Sequence, residues 1–344
     1  MTKHSYTIKQ IQISALLALL LLSLTLCSGC TQKPQEPISK TGFYFDTVIP
    51  LTLYDSQQEE LLEDCFALAD KYEKMLSATI DSSDVSNINH AEGQPVTVNP
   101  ETLELLQKGL AYGTLSEGRF DVTIGNLSSL WNFTENDGVV PDDTEIKTAV
   151  STVDYRNVEI SGNQVSLRNP ESDIDLGGIA KGYIADKMKE YLLEQGVTSG
   201  IINLGGNVLV IGAKTDNTPF TIGIQTPFDS EGSSIATVKI KDMTVVSSGV
   251  YERYFTIDDK LYHHILDTST GYPYDNGLLS VSIICRNSVD GDGLSTTCFS
   301  LGLEKGMELV ESLENTEAIF ITSDYEIHTS SGIGETIPFE LMMH

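Results

Sequence analysis

Ile201-Ile-Asn-Leu-Gly-Gly-Asn-Val-Leu-Val-Ile-Gly212 is two apolar runs joined by paired glycines, and it reads as strand, tight turn, strand. A second unit of the same kind follows, with Val250 to Ile257 and Leu261 to Leu266 joined by Asp258-Asp259-Lys260 as an antiparallel hairpin. Thr237 to Ile240, Thr244 to Val246, Leu279 to Cys285 and Ala318 to Thr322 add short strands. Strands thus come in consecutive hairpin-like runs and not only in alternation with helices, which predicts an α+β fold over a doubly wound sheet. The expectation is a single domain of antiparallel or mixed sheets packed by helices.

Helical spacing marks four further segments. Gln58 to Leu76 repeats apolar residues about every third or fourth place; Pro100 to Ser116 opens on a proline suited to a first turn. Ile179 to Gln195 ends at Gly196, and Asp292 to Leu303 is the fourth.

Residues 1–29 read as a lipoprotein signal peptide: Lys3 and Lys9 precede the apolar run Ile13 to Leu26, which ends in Leu26-Cys-Ser-Gly-Cys30. Cys30 is the expected lipidated terminus. Residues 30–40, polar and carrying Pro34 and Pro37, read as a flexible tether, and residues 41–344 as the domain. This predicts a chain anchored by lipid at the extracytoplasmic face of a bacterial cell membrane.

The chain holds 21 Lys and Arg against 49 Asp and Glu, and loss of residues 1–29 moves its formal charge from −28 to −30. Nucleic acid is excluded as an expected partner, and the spread of carboxylates reads as a solubilising surface. Beyond Cys27 and Cys30 only Cys65, Cys285 and Cys298 remain, without metal-ligand spacing or the density of a disulfide scaffold; one pair among them is free to bridge.

Asp175-Leu-Gly-Gly-Ile-Ala-Lys-Gly-Tyr-Ile-Ala-Asp186 is a glycine-rich turn opening into a helix. Glycines permit close approach of a ligand, and a helix N-terminus offers free amides to an anion, so the segment reads as a pyrophosphate cradle. Its spacing is that of neither the Walker loop nor the dinucleotide fingerprint, and the alternative is a plain strand-to-helix connection with a solvated Lys181. In Asp292-Gly-Leu-Ser-Thr296 a helix puts Asp292 and Thr296 one turn apart with Ser295 beside them, hard oxygens that suit Mg²⁺; the alternative is helix capping by Asp292. His263 and His264 are adjacent on a strand, so at most one faces a site. There is no Gly-x-Ser-x-Gly elbow and no His-Glu-x-x-His.

Taken in order, eight segments resemble the ApbE family, the FAD:protein FMN transferases. They are Phe43 to Thr47, Ser83 to Asn89, Gly118 to Gly125 with Leu130-Trp131, Asp175 to Asp186, Asn203 to Asn207, Ser248 to Arg253, His264 to Asp267 with Gly271-Tyr-Pro273, and Asp292 to Thr296. The resemblance implies Mg²⁺-dependent transfer of the FMN moiety of FAD, the substrate, onto a Thr or Ser hydroxyl of an acceptor protein with release of AMP. It implies Gly178, Asp292, Ser295 and Thr296 as metal ligands. It implies Phe45, Thr79, Phe120, Asp121, Val122, Asp175, Lys181, His264 and Leu266 around FAD, the contacts of Phe120 to Val122 running through the main chain. His264 is the first candidate for the base that takes the hydroxyl proton, and Asp292 its rival. The implied acceptor is a flavoprotein subunit of a membrane or extracellular redox system. Two positions depart from the family pattern: Thr79 stands where many relatives carry an aromatic ring, and Asn126 where proline is frequent. The rival readings are a Mg²⁺-dependent FAD pyrophosphatase at the same site and a non-catalytic flavin-binding lipoprotein.

Overall fold

Eight strands form the main sheet and lie side by side in the order in which the chain makes them. They are β1 (Ile38–Tyr44), β2 (Thr47–Leu53), β3 (Ser199–Leu204), β4 (Asn207–Gly212), β5 (Thr244–Gly249), β6 (Leu278–Cys285), β7 (Glu317–Thr322) and β8 (Ile327–Thr329). Every neighbouring pair is antiparallel, so the expected α+β class holds. The computed structural model describes residues 36–135, 138–230 and 232–342; the signal segment, Cys30 and the tether up to residue 35 lie outside them. The tether ends sooner than expected, because Ile38 to Lys40 already pair with Leu53 to Leu51 in β1 and β2.

The helices are α1 (Glu60–Leu76), α2 (Asp84–Asn89), α3 (Pro100–Leu115), α4 (Gly125–Trp131), α5 (Asp143–Val150), α6 (Gly177–Glu194), α7 (Ser288–Leu301) and α8 (Leu303–Glu311). The fourth expected helix is α7, which starts four residues earlier than expected and stops two sooner at Gly302, whose φ of 81° separates it from α8. Smaller sheets pair Ser234–Ile240 with Phe220–Gln225 on one side and Phe339–Leu341 on the other, and Tyr254–Ile257 with Lys260–His263.

The turns at one end of the sheet account for the paired glycines of Ile201 to Gly212. Leu204 pairs with Asn207 across Gly205 and Gly206, with φ of 58° and 90°, the two-residue turn whose twist matches the strands. Phe45 and Asp46, with φ of 53° and 54°, make the same turn between β1 and β2 without a glycine. Asp258 and Asp259 turn the separate short hairpin, which at its far end is four residues shorter on its first strand and three on its second than expected and leaves His264 just past its last strand residue.

Helix α7 is buried nearly all round, from Ser288 to Ser300, as a helix inside a core must be. Small residues let it in. A methyl on Gly291 would lie 2.5 Å from Val246 of β5, and one on Gly293 2.5 Å from the Tyr112 ring of α3. Gly182 serves the crossing with α6 in the same way, 2.6 Å from the Val289 amide nitrogen. A satellite core of Leu127, Trp131, Ile146, Ala149 and Leu266 sits apart from the main one. There Trp131, Phe133, Phe255 and Tyr262 stack, and the Trp131 Nε1 donates to the Gly271 carbonyl at 2.8 Å. Cys65, Cys285 and Cys298 are free buried thiols, so none of the pairings left open is formed.

Candidate active site

The site is built where α6 crosses α7 at the glycine-turn end of the sheet. Asp292 is 6% exposed, and its Oδ2 accepts the Gly182 amide at 2.5 Å, an amide whose regular helical acceptor is the Gly178 carbonyl. Its Oδ1 accepts from Asn207 Nδ2 at 3.2 Å, from the first residue of β4 after the paired glycines. Asn207 is held in turn by the Thr244 and Ser288 hydroxyls, so its amide must point at Asp292. Burial pushes the Asp292 carboxyl up to about 6, against the pull of Lys181 and the two amides.

Asp292 does not cap its helix. Helix α7 begins a full turn earlier at Ser288, and Asp186 of α6 caps it, accepting the Ser288 and Val289 amides at 2.8 and 2.9 Å. Placed in the second turn, Asp292 projects sideways together with Ser295 and Thr296. The Ser248 hydroxyl of β5 closes the group at 2.9 Å from Ser295 Oγ and 3.3 Å from Thr296 Oγ1. Among the described residues no three His, Cys, Asp or Glu side chains converge, so a cation here has one carboxylate and otherwise hydroxyl and main-chain oxygens.

The glycines of the expected cradle form the first turn of α6 itself instead of a turn before it. Gly178 lies flat against Phe120, 3.3 Å from its ring if it bore a methyl, and Asp175 Oδ1 accepts the Gly177 amide at 2.8 Å. Two loops are zipped together to hold this entrance. The Asp175 amide donates to the Val122 carbonyl at 2.8 Å, and Asn89 clamps Ile174 through both its amide and its carbonyl. Asp121 is spent on this frame, accepting from Thr123 and from the Tyr155 amide, so its carboxylate faces inward and only main chain of Phe120 to Val122 is available to a ligand. Phe45, strained at positive φ, donates its amide to Glu73 at 2.6 Å.

Lys181 forms no ion pair among the described residues, and its charge is felt at Asp292, Glu252 and His264. Arg253 likewise acts on Glu252 and His264, and its carbonyl accepts the His264 amide at 3.1 Å. Glu252 is solvent-accessible yet walled by protein; desolvation raises its carboxyl while both cations oppose the rise. His263 points into the core, its Nε2 against the Tyr274 carbonyl at 2.9 Å, so it is structural. His264 has a buried Nδ1 with no hydrogen-bond partner. Burial, then Arg253, His263 and Lys181, push its imidazole down to about 3, which keeps it neutral.

Of the residues expected at the site, Gly178, Lys181, His264, Asp292, Ser295 and Thr296 gather around it, with Phe120, Val122 and Asp175 framing the entrance. Leu266 packs its side chain in the satellite core, and its main chain bridges Pro273. Thr79 is exposed after α1, its hydroxyl 3.0 Å from that of Ser77. Asn207, Ser248, Glu252 and Arg253 were missed as site residues although each stood in a quoted motif. The signal for Asn207 was there, a polar residue opening an otherwise apolar strand.

The Asp292 carboxylate among hydroxyls, two cations without an ion pair among the described residues and a neutral histidine, gathered at one end of an antiparallel sheet, define an enzyme site for an anionic, phosphate-bearing substrate. Comparison with known proteins identifies the kind. The ApbE family model matches residues 45–320, and the chain belongs to the ApbE family. An FAD:protein FMN transferase of Klebsiella pneumoniae (strain 342) is 40% identical over 286 residues, 82% of this chain and 88% of the relative. One of Treponema pallidum is 34% identical over 292 residues, 80% and 81%. The ApbE protein of Thermotoga maritima superposes with a TM-score of 0.80 at 32% identity, covering 86% of this chain and 97% of that one. The flavin transferase ApbE of Vibrio cholerae does so with 0.77 at 27%, covering 87% and 98%.

Proposed function

We propose that this chain transfers the FMN moiety of FAD to a threonine or serine hydroxyl of an acceptor protein and releases AMP. The observation that carries the reading is the Asp292 cluster: a buried carboxylate, oriented by two amides, facing hydroxyls and an unpaired lysine. A flavin-binding protein without turnover has no use for a desolvated carboxylate held in this way.

The donor set fits Mg²⁺, which takes one or two carboxylates and otherwise neutral oxygens. Asp292 and Thr296 would hold it, with Ser295 and the Gly178 carbonyl as further oxygens; when bound it supplies charge neutralisation at the pyrophosphate. Lys181 and Arg253 bind the same anion, in a chain whose charge of −28 otherwise repels it. Gly182 and Asn207 fix the Asp292 rotamer. The acceptor hydroxyl oxygen attacks the FMN-side phosphorus, the bond from that phosphorus to the bridging oxygen breaks, and AMP leaves with that oxygen. The hydroxyl proton goes to His264 Nδ1, a buried ring nitrogen without a hydrogen-bond partner among the described residues, whereas both Asp292 oxygens already accept amides.

A lipid anchor at Cys30 would hold this site at the extracytoplasmic membrane face, near flavoprotein subunits of membrane or extracellular redox systems. Hydrolysis to FMN and AMP at the same site is the second reading, favoured by Thr79, which leaves its position without a ring. Asp292→Ala tests the catalytic reading: turnover of FAD should vanish while FAD still binds, and turnover at the wild-type rate would remove the cluster from the chemistry.

A further inference from the structure

An aromatic shelf stands beside this site. Phe228, Tyr254 and Tyr325 are 42%, 44% and 46% exposed, and they come from three separate parts of the chain. Phe228 packs on Tyr254 and Tyr251, and Tyr325 is tied to the Phe228 loop. The Phe228 ring meets Tyr254 edge-on at 5.3 Å and Tyr251 at 6.0 Å, and the Tyr325 hydroxyl donates to the Pro227 carbonyl at 3.5 Å. Phe228 and Tyr325 are held at φ of 59° and 65°, a region bulky side chains rarely occupy. Two strained aromatics presented to water are a poor arrangement for a free surface and a good one for contact: rigid rings offer area at little entropic cost.

The shelf is continuous with the site. Tyr251 and Tyr254 bracket Glu252 and Arg253, and the Tyr251 ring lies 2.6 Å from where a methyl on Gly249 would sit, one residue from Ser248. Carboxylates adjoin the rings in sequence at Asp229, Asp324 and Glu326. A second copy of this chain, with the same charge of −28, is repelled from such a rim, and so is an anionic lipid surface.

We propose that Phe228, Tyr254 and Tyr325 dock the acceptor protein, receiving a neutral or basic, partly apolar segment next to the hydroxyl that is modified. The proposal rests on the transferase reading. Phe228→Gly and Tyr325→Gly test it without disturbing the loops, because glycine takes a φ near +60° freely while losing the ring; Tyr254→Ser tests the strand position. The full chain is incubated with FAD, Mg²⁺ and an FMN-accepting extracytoplasmic domain of a redox-pump subunit. KM for the acceptor, FAD affinity and AMP release without acceptor are each measured. The expected result is a rise in acceptor KM of roughly tenfold per ring, the scale of an interface anchor, with FAD affinity and acceptor-free AMP release unchanged. An unchanged KM overturns the proposal, and so does a parallel loss of FAD affinity, which would put the rings on the flavin. A wild-type chain that makes FMN and AMP but leaves the acceptor unmodified fails at the earlier step and refutes the transferase reading itself.

Discussion

Gly182→Ala is the smallest change that should dismantle the site. The added methyl would lie 2.5 Å from the Ser288 carbonyl carbon and 2.6 Å from the Val289 amide nitrogen, where ordinary contact begins at 3.4 Å. These are main-chain atoms at the start of a buried helix, so no side chain can swing away. Helices α6 and α7 must part by about 0.8 Å or more, and overpacking of this kind costs about 1–3 kcal/mol. The same movement stretches the 2.5 Å bond from the Gly182 amide to Asp292, and hydrogen bonds to charged groups contribute about 1.5–3 kcal/mol. A joint loss of about 3 kcal/mol lowers Tm by roughly 6 °C or more in a domain of this size class. Displacing Asp292 by most of an ångström should slow turnover on the order of 100-fold. Calorimetry gives the first quantity and AMP release from FAD the second. A variant that melts within about a degree of wild type and turns over at full rate would refute the reasoning about this crossing.

Three further outcomes follow from the same geometry. Because burial raises Asp292 to about 6, protons would compete with the proposed Mg²⁺: its affinity should be level above pH 7 and fall about tenfold per pH unit below 6, and calorimetric titration showing level affinity to pH 5 would contradict it. Asp186→Asn leaves one of the two capped amides of α7 facing an NH₂ group, so urea unfolding should show a loss of about 1–2 kcal/mol; no loss would mean the cap contributes nothing. His264→Ala should cut transfer about 10²–10⁴-fold while FAD affinity stays within about threefold, and equal losses in both would make His264 a binding residue and not a base.

The sheet was legible because its turns are written in the chain. Paired glycines after Leu204 and paired aspartates after Ile257 each give a two-residue connection at positive φ, and the apolar runs on either side have no room for a helix. The turn at Phe45-Asp46 carries no such mark, and its strain is visible only in three dimensions. Asp292, Ser295 and Thr296 were legible as a group from helical spacing alone. The start of their helix was not, because its cap, Asp186, comes from a helix about a hundred residues earlier and leaves no local signal. Distance in sequence also hid Ser248, which reaches the cluster from β5, whereas Asn207 carried a local mark as the polar residue opening β4. Leu266, two residues from His264, packs its side chain against Leu127 and Trp131, contacts supplied by α4 from far earlier in the chain that leave no local mark.

The most direct measurement is the mass of an acceptor protein after incubation of the full-length chain with FAD and Mg²⁺, with a chelator in the parallel sample. A gain of one FMN residue on a threonine or serine, matched by AMP and absent with chelator, is the expected result. An unmodified acceptor beside intact FAD, or beside free FMN and AMP, would contradict transfer.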